Sequence, residues 1–394
     1  MPTVTELQLL AVDLPFKAAF RHAAAARTTS ESLFLRARLD SGVEGWGECL
    51  PRAYVSGERR EQAFALLRDA ILPALLGRAF QSLAEVTSFL EKCDGKAPSE
   101  WVRPDLPQTS AWCSVDLALL DAFGRAGGEA VRLGAADDDR SGATRLGRYR
   151  YSGVVSAGRG WPYAVSLLKM RAFGFPHVKL KLEHDGALRA ARTARRFLGR
   201  RVDLRVDANM AWEVEQALEL IGQLRTLGIE SFEQPIAADD LAGLARLVRE
   251  SSAGIVVDEG LTDRDSLQRF IGQRACTGAN VRISKCGGLV AAQARCREAL
   301  DAGLMLQVGC QVGESSLLSA AHLTLLSSLA PLTPGVRYAE GCFGRHLLRE
   351  DPVSPPVQFG YGGRPPRRPA GAGLGVQMDQ TMLERWAVDA ARVV

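Results

Sequence analysis

The sequence is poor in the features that most often announce a chemistry. Histidine occurs five times in 394 residues. No H-E-x-x-H, G-x-S-x-G or P-loop is present, which removes zinc-protease, serine-hydrolase and nucleotide-binding readings. The eight cysteines lie scattered without a C-x-x-C pair, so reduced, packed thiols are expected rather than a zinc site or a disulfide framework. No apolar run reaches the length that crosses a bilayer, and the start MPTVTELQLL lacks signal-peptide character, so a soluble cytoplasmic chain with no membrane partner is expected. Charge of one sign is lacking too. With 49 basic against 45 acidic residues the net charge is +4, too balanced for a surface built on nucleic-acid phosphates. The short basic stretch Arg364 to Arg368 is broken by prolines and reads as a loop.

What the chain has instead is alternation. Residues 1–130 form a first unit, with two strands in SESLFLRARLDSGVEGWGEC turning at Asp40-Ser41-Gly42, then helical patterns such as TSAWCSVDLALLDAFGRA. A Gly- and Asp-rich break follows. From 146 to 345, β-rich runs alternate with helical ones: YRYSGVVS, HVKLKL, VDLRVDAN, ESFEQP, GIVVDE, NVRIS, LMLQVGC and VRYAE, each but the last followed by a helix. Eight such runs predict parallel strands in a (β/α)8-type barrel, an α/β fold. Residues 346–394, rich in Pro and Gly, are expected to return over the surface to the first unit.

HVKLKL poses a problem of its own. Lys179 and Lys181 are two apart in a strand, so both ammonium groups share one face. Lys181, Asp207, Glu233 and Asp258 then follow one another at 26, 26 and 25 residues, one strand–helix unit apiece. Residues at the C-terminal ends of barrel strands converge on one mouth. Three carboxylates meeting there repel, and a hard divalent cation relieves the repulsion. Oxygen ligands without His or Cys suit Mg²⁺ or Mn²⁺ rather than zinc. Structural ion pairs with the lysines are the bland alternative. Asn209, two past Asp207, is placed to support the ligand shell. Glu259 adjoins Asp258 and, like Asn209, is a candidate to support that shell, although it points to the other face if the strand continues. Lys179 lies deeper, and Lys181 reaches the mouth, where two cationic neighbours would favour its neutral, basic form. A base beside such a cation suits removal of a proton α to a carboxylate, through an enediolate.

At this point the sequence resembles the enolase superfamily, in the branch of mandelate racemases and muconate lactonising enzymes. KLK is similar to its K-x-K base motif, DLRVDANMAW to its D-x-N ligand strand, SFEQP and VVDE to the next two ligand strands, and SKCGG to the segment after the sixth; GWGE and GAGLGV also fit. The resemblance spans nearly the whole chain. It implies an α+β capping domain built from the N-terminal region and the C-terminal tail, a modified barrel, Mg²⁺, and a small-molecule carboxylate as substrate. Association into a homo-oligomer is expected on the same ground.

The departures bear on the reaction. Aligning NVRISKCGG with N-I-K-L-x-K-x-G-G puts Arg282, not a lysine, at the second base position. Arginine stays protonated and makes a poor base. Lys285 falls three residues on, in the loop. Two-base racemisation or epimerisation of amino-acid derivatives or dipeptides therefore recedes behind one-base cycloisomerisation or β-elimination; a non-catalytic binding homologue is the rival of another class. The seventh strand carries no histidine. After the eighth, where dipeptide epimerases have Asp-x-Asp, only Glu340 stands. Glu314 reads equally as a site acid or a helix-start acid. The loops FRHAAAARTTSE and LPRAYVSGER would cover the mouth, with Arg21, His22, Arg52 and Tyr54 as candidate substrate contacts, and the small-residue run Ala23 to Ala26 leaving room for a bulky group. His322, within an apolar helical pattern, reads as a packed core residue.

Overall fold

The computed structural model of the protein describes residues 1–22, 25–134, 146–182, 186–332 and 334–394. A four-stranded antiparallel sheet opens the chain, in the order β14-β1-β4-β5, from β1 (Val4–Val12), β4 (Ser32–Leu39), β5 (Glu44–Cys49) and the last strand β14 (Ala387–Val393). Leu9 of β1 faces Leu35 on one side and Ala391 on the other, so the two ends of the chain meet in one sheet. A hairpin of β2 (Pro15–His22) and β3 (Ala25–Thr29) stands beside it.

Helix α1 (Thr109–Ala126) is buried along almost its whole length and lies directly on β5. The G-W-G of GWGE makes that approach possible. A Cβ on Gly47 would sit 1.9 Å from the Ser114 carbonyl oxygen, and one on Gly45 would sit 2.1 Å from the Ala122 nitrogen. Backbone cannot yield to such overlaps as a flexible side chain can, so these positions exclude any other residue.

The second layer is an eight-stranded parallel sheet in the order of the chain: β6 (Gly153–Ser156), β7 (His177–Lys181), β8 (Asp203–Asp207), β9 (Ser231–Glu233), β10 (Gly254–Val257), β11 (Gly278–Val281), β12 (Met305–Val308) and β13 (Val336–Ala339). All eight predicted strands form. Helices α2 (Gly160–Phe173), α3 (Ala187–Leu198), α4 (Val214–Arg225), α5 (Leu241–Ser251), α6 (Arg264–Gly272), α7 (Leu289–Asp301) and α8 (Ser316–Leu329) link them. Closure is thinner than a full barrel ladder. Among the described residues β6 and β13 are joined by the bridge Tyr151↔Ala339 and the bond from Ser152 N to Ala339 O, 3.0 Å. No α-helix follows β13 within 340–361; irregular chain with a 3-10 turn at Gly344–His346 crosses the outside of this seam instead.

Carboxylates of the first layer fasten it to the barrel. Glu48, at the end of β5, accepts from the Ser315 amide (3.0 Å) and hydroxyl (2.6 Å) at the start of α8. Asp116 on α1 accepts from the Leu289 amide (2.7 Å) at the start of α7. Both satisfy helix-end donors and oppose the positive end of a helix dipole. The cysteines are free, and no described helix is long and apolar enough to cross a membrane.

His322, on α8, is buried against the Tyr151 ring at 5.6 Å, as its apolar surroundings in sequence predict. Burial pulls its imidazole down to about 4. Between pH 6.5 and 4 the unfolded chain therefore binds a proton that the folded chain refuses, and folding stability is lost as pH drops through that window. The full effect is on the order of 3 kcal/mol. Urea melts of His322→Leu are expected to lose less stability between pH 7 and pH 4.5 than the unsubstituted protein does; equal losses would assign the acid sensitivity elsewhere.

Candidate active site

Strand register builds the site. Lys181 is the Cα partner of Asp207, and Asp207 of Glu233, so three strand ends carry their ionisable side chains around one rim. Asp258 follows β10 by one residue and joins them. The spacing of one strand–helix unit in the sequence thus becomes adjacency in space.

Lys179 sits at the centre. Its Nζ lies 2.8 Å from Glu340 Oε2, 3.2 Å from Glu233 Oε2 and 3.3 Å from Asp207 Oδ2. Burial alone would discharge it, but Glu233, Glu340 and Asp207 outweigh burial and hold the ammonium charged above its ordinary range. Burial raises Glu340 as well, yet Lys179 and Arg205 overcome this and draw it down to about 2. Lys181, nearer the mouth, donates to Asn209 Oδ1 at 2.8 Å and lies 3.1 Å from Asp207 Oδ2.

Asn209 holds a left-handed backbone (φ 45°), a conformation asparagine tolerates better than most residues. Its amide nitrogen donates to Glu259 Oε1 at 2.9 Å. Glu259 therefore faces the site rather than away from it, because β10 stops at Val257 and strand alternation no longer applies. Burial, with Asp207 nearby, pushes its carboxyl up to about 7.

Arg282 and Lys285 part company. The Arg282 guanidinium bonds Asp258 Oδ2, lies 3.6 Å from Glu233 Oε1 and donates to Gln311 Oε1 at 3.2 Å. It lines the main cavity together with Lys179, Lys181, Asn209, Glu259 and Glu340. Lys285 is sealed beneath the rim, its Nζ donating to Asp258 Oδ1 (2.7 Å), Asp258 O (2.6 Å) and Asn280 O (2.9 Å). Burial pulls its ammonium down to about 7, but it has no exposed surface and does not line the cavity.

The remaining candidates divide. Tyr54 lines the cavity. Arg52 is buried and spends its guanidinium on backbone carbonyls, those of Ser30 and of Pro51 (2.9 Å) among them, so it braces the loop instead of facing a ligand. Glu314 is buried and accepts from the Gln311 amide at 2.6 Å; burial lifts its carboxyl to about 8, and it closes a turn just before α8. Glu340 is consumed by Lys179 and Arg205. The side chains of Arg21 and His22, with the run Ala23 to Ala26, lie outside those described.

Three partners escaped the sequence reading. Arg205 bonds Glu340 and donates to Ser152 Oγ (2.9 Å), while Asn280 and Gln307 each donate to Glu233 at 2.8 Å. The signal was there: each lies on a barrel strand in inward register, Arg205 two residues before Asp207.

The donor chemistry of Asp207, Glu233 and Asp258 fits a hard cation. All the atoms are carboxylate oxygens, and buried Asp207 Oδ2 accepts no well-directed hydrogen bond, meeting only the ammonium groups of Lys181 (3.1 Å) and Lys179 (3.3 Å). The described side chains are nonetheless arranged as ion pairs, with no cluster of three His, Cys, Asp or Glu poised to hold a metal among them. Asp258 has both oxygens engaged, by Arg282 and Lys285. Seating a cation would need Arg282 to swing off Asp258.

Comparison with known proteins points the same way as the fold. Residues 4–132 match the family described as mandelate racemase / muconate lactonizing enzyme, N-terminal domain, and residues 163–382 match enolase C-terminal domain-like. N-succinylamino acid racemase of an Amycolatopsis species is 29% identical, covering 96% of each chain. Muconate cycloisomerase 1-1 of Acinetobacter lwoffii is 28% identical, covering 98% of this chain and 97% of its own. The crystal structure of a dipeptide epimerase from Cytophaga hutchinsonii, complexed with Mg and D-Ala-L-Val, superposes over 100% of both chains with a TM-score of 0.81 at 22% identity.

Removing one member of a buried ion cluster strands its partners, at a cost of roughly 3–5 kcal/mol. Lys179→Met is expected to lose about that much in urea melts, whereas Lys181→Met, at a partly exposed position, loses about 1 kcal/mol or less. Equal losses would deny Lys179 its central place.

Proposed function

The chain belongs to the mandelate racemase and muconate lactonizing enzyme family, and from that premise we propose that it abstracts the proton α to a substrate carboxylate, with Lys181 as the base. The observation that carries this reading is the asymmetry across the cavity: an amine, Lys181, reaches it from one side and a guanidinium, Arg282, from the other, while Lys285 stays sealed below. Lys181 is aimed by Asn209 and Asp207. Arg282 presents planar donors suited to a carboxylate or to charge that builds on it.

Asp207, Glu233 and Asp258 are the residues that would hold Mg²⁺, or Mn²⁺ in its place. Bound there, the cation would supply Lewis-acid stabilisation of negative charge on the substrate carboxylate. With Lys179 tied up by its carboxylates and Lys285 sealed below, Lys181 is left as the single base, and proton removal leads to cycloisomerisation or β-elimination, the muconate-cycloisomerase-like outcome. The second reading, racemisation or epimerisation of amino-acid derivatives, is favoured by the likeness to N-succinylamino acid racemase. It requires Lys285 to reach the substrate's other face.

Exchange in D₂O separates these. With Mg²⁺ and a panel of α-substituted carboxylates, N-acyl amino acids, dipeptides and lactones, deuterium is expected at the α-position of the accepted class. Lys181→Ala should slow that exchange roughly 10²–10⁴-fold, the range of a lost general base, and EDTA should suppress it. Exchange with inverted configuration, abolished by Lys285→Ala, would transfer the assignment to the two-base reading. Exchange untouched by Lys181→Ala would remove Lys181 from the chemistry.

A further inference from the structure

The seam between β6 and β13 opens beside the site. Above the Tyr151↔Ala339 bridge, the β6 edge at Gly153 and Val154 has no β13 ladder among the described residues. Lys179 and Lys181 line the barrel side of the cavity; Met170, Phe173 and Phe175 come from the end of α2 and the turn after it, outside the sheet. A single cavity that touches residues on both sides of a sheet has to pass around the edge of that sheet.

The outer wall is the segment after β13, which stands where an eighth helix would pack. It is pinned by Phe359 N donating to Cys342 O (2.9 Å) and Tyr151 N donating to Gly363 O (2.7 Å). Phe343, Leu347 and Phe359 of this segment complete the lining. The space amounts to about 350 Å³, more than a small carboxylate needs.

The outer lining is aromatic and internally organised. Phe173 stacks on Phe175 with centroids 4.8 Å apart, and Phe359 meets Phe175 edge-on at 5.6 Å and Phe343 edge-on at 5.6 Å. Such walls offer both faces and edges to one further ring. The inner end, at Lys181 and Arg282, is charged. The cavity is thus charged where a carboxylate would react and mainly aromatic at its outer end, where Lys169 and His346 are the polar groups in the lining.

We propose that this seam chamber is the specificity pocket of the site and takes an apolar, ring-sized substituent of the carboxylate substrate. The proposal rests on the reading that carboxylates bind at Lys181 and Arg282, and it names the substrate class as aryl- or cycloalkyl-substituted carboxylic acids. Met170, half-buried near the end of α2, and Leu347, half-buried on the covering segment, control how wide the chamber is.

Calorimetric titration of the full-length protein with Mg²⁺ present, using 3-phenylpropanoate and propionate as probes, tests this without needing turnover. Burying a ring of this size is expected to make 3-phenylpropanoate bind about thirtyfold tighter than propionate. Met170→Trp and Leu347→Trp, each filling the chamber from a different wall, should bring the ratio to within about threefold while leaving propionate binding unchanged; the two variants guard against one failing to fold. Equal binding of both probes by the unsubstituted protein would overturn the pocket but leave the carboxylate site standing. A ring preference that survives both variants would place the substituent elsewhere and overturn it too. Binding of neither probe, with the fold intact by circular dichroism, would overturn the carboxylate reading and this inference with it.

Discussion

Buried carboxylates at the strand ends set the terms for everything around them. A carboxylate moved out of water costs several kcal/mol unless something nearby cancels its charge. The protein gathers Asp207, Glu233, Asp258, Glu259 and Glu340 into one pocket, and it answers them with Lys179, Lys181, Arg205, Arg282 and Lys285. Strand register, the depth difference between the two lysines and the inward turn of the chain after β11 all serve that balance. Neutral amides finish it: Asn280 and Gln307 clamp Glu233, and the Gln234 side chain receives the Asp258 amide.

Much of this was legible before any coordinates. A recurrence of 25 or 26 residues is a property of strand plus helix, so it betrays the barrel and the convergence of Lys181, Asp207, Glu233 and Asp258 together. The depth order of Lys179 and Lys181 follows from strand direction alone. Partner choice was not legible. Whether Arg282 meets Asp258 or Gln311, and whether Lys285 opens to the cavity or hides, depends on how the backbone turns after Val281, and no periodicity governs a turn. The face of Glu259 was open for the same reason, since alternation gives a direction only while the strand continues and β10 ends at Val257. Arg52 looked like an anion contact because its charge is visible in sequence while the carbonyls that absorb it are not.

The site is lopsided in a way that its ancestry does not dictate. Relatives of similar identity carry names as different as racemase and cycloisomerase, so the scaffold is neutral between them. Which groups can touch a ligand is set locally here: by a guanidinium at the rim, a lysine withdrawn beneath it, and a carboxylate after β13 already saturated by two cations.

The pairing of β14 with β1 has a consequence for synthesis. All eight barrel strands lie between Gly153 and Ala339, so the parallel sheet has its full sequence before Ala387–Val393 is made. β1 has to wait for Ala387–Val393 before its outer edge is covered. Until then that strand presents unpaired amides and carbonyls, the kind of edge that recruits neighbouring chains. A chain cut between Ala339 and Ala387 would keep every barrel strand beneath a cap with an adhesive border.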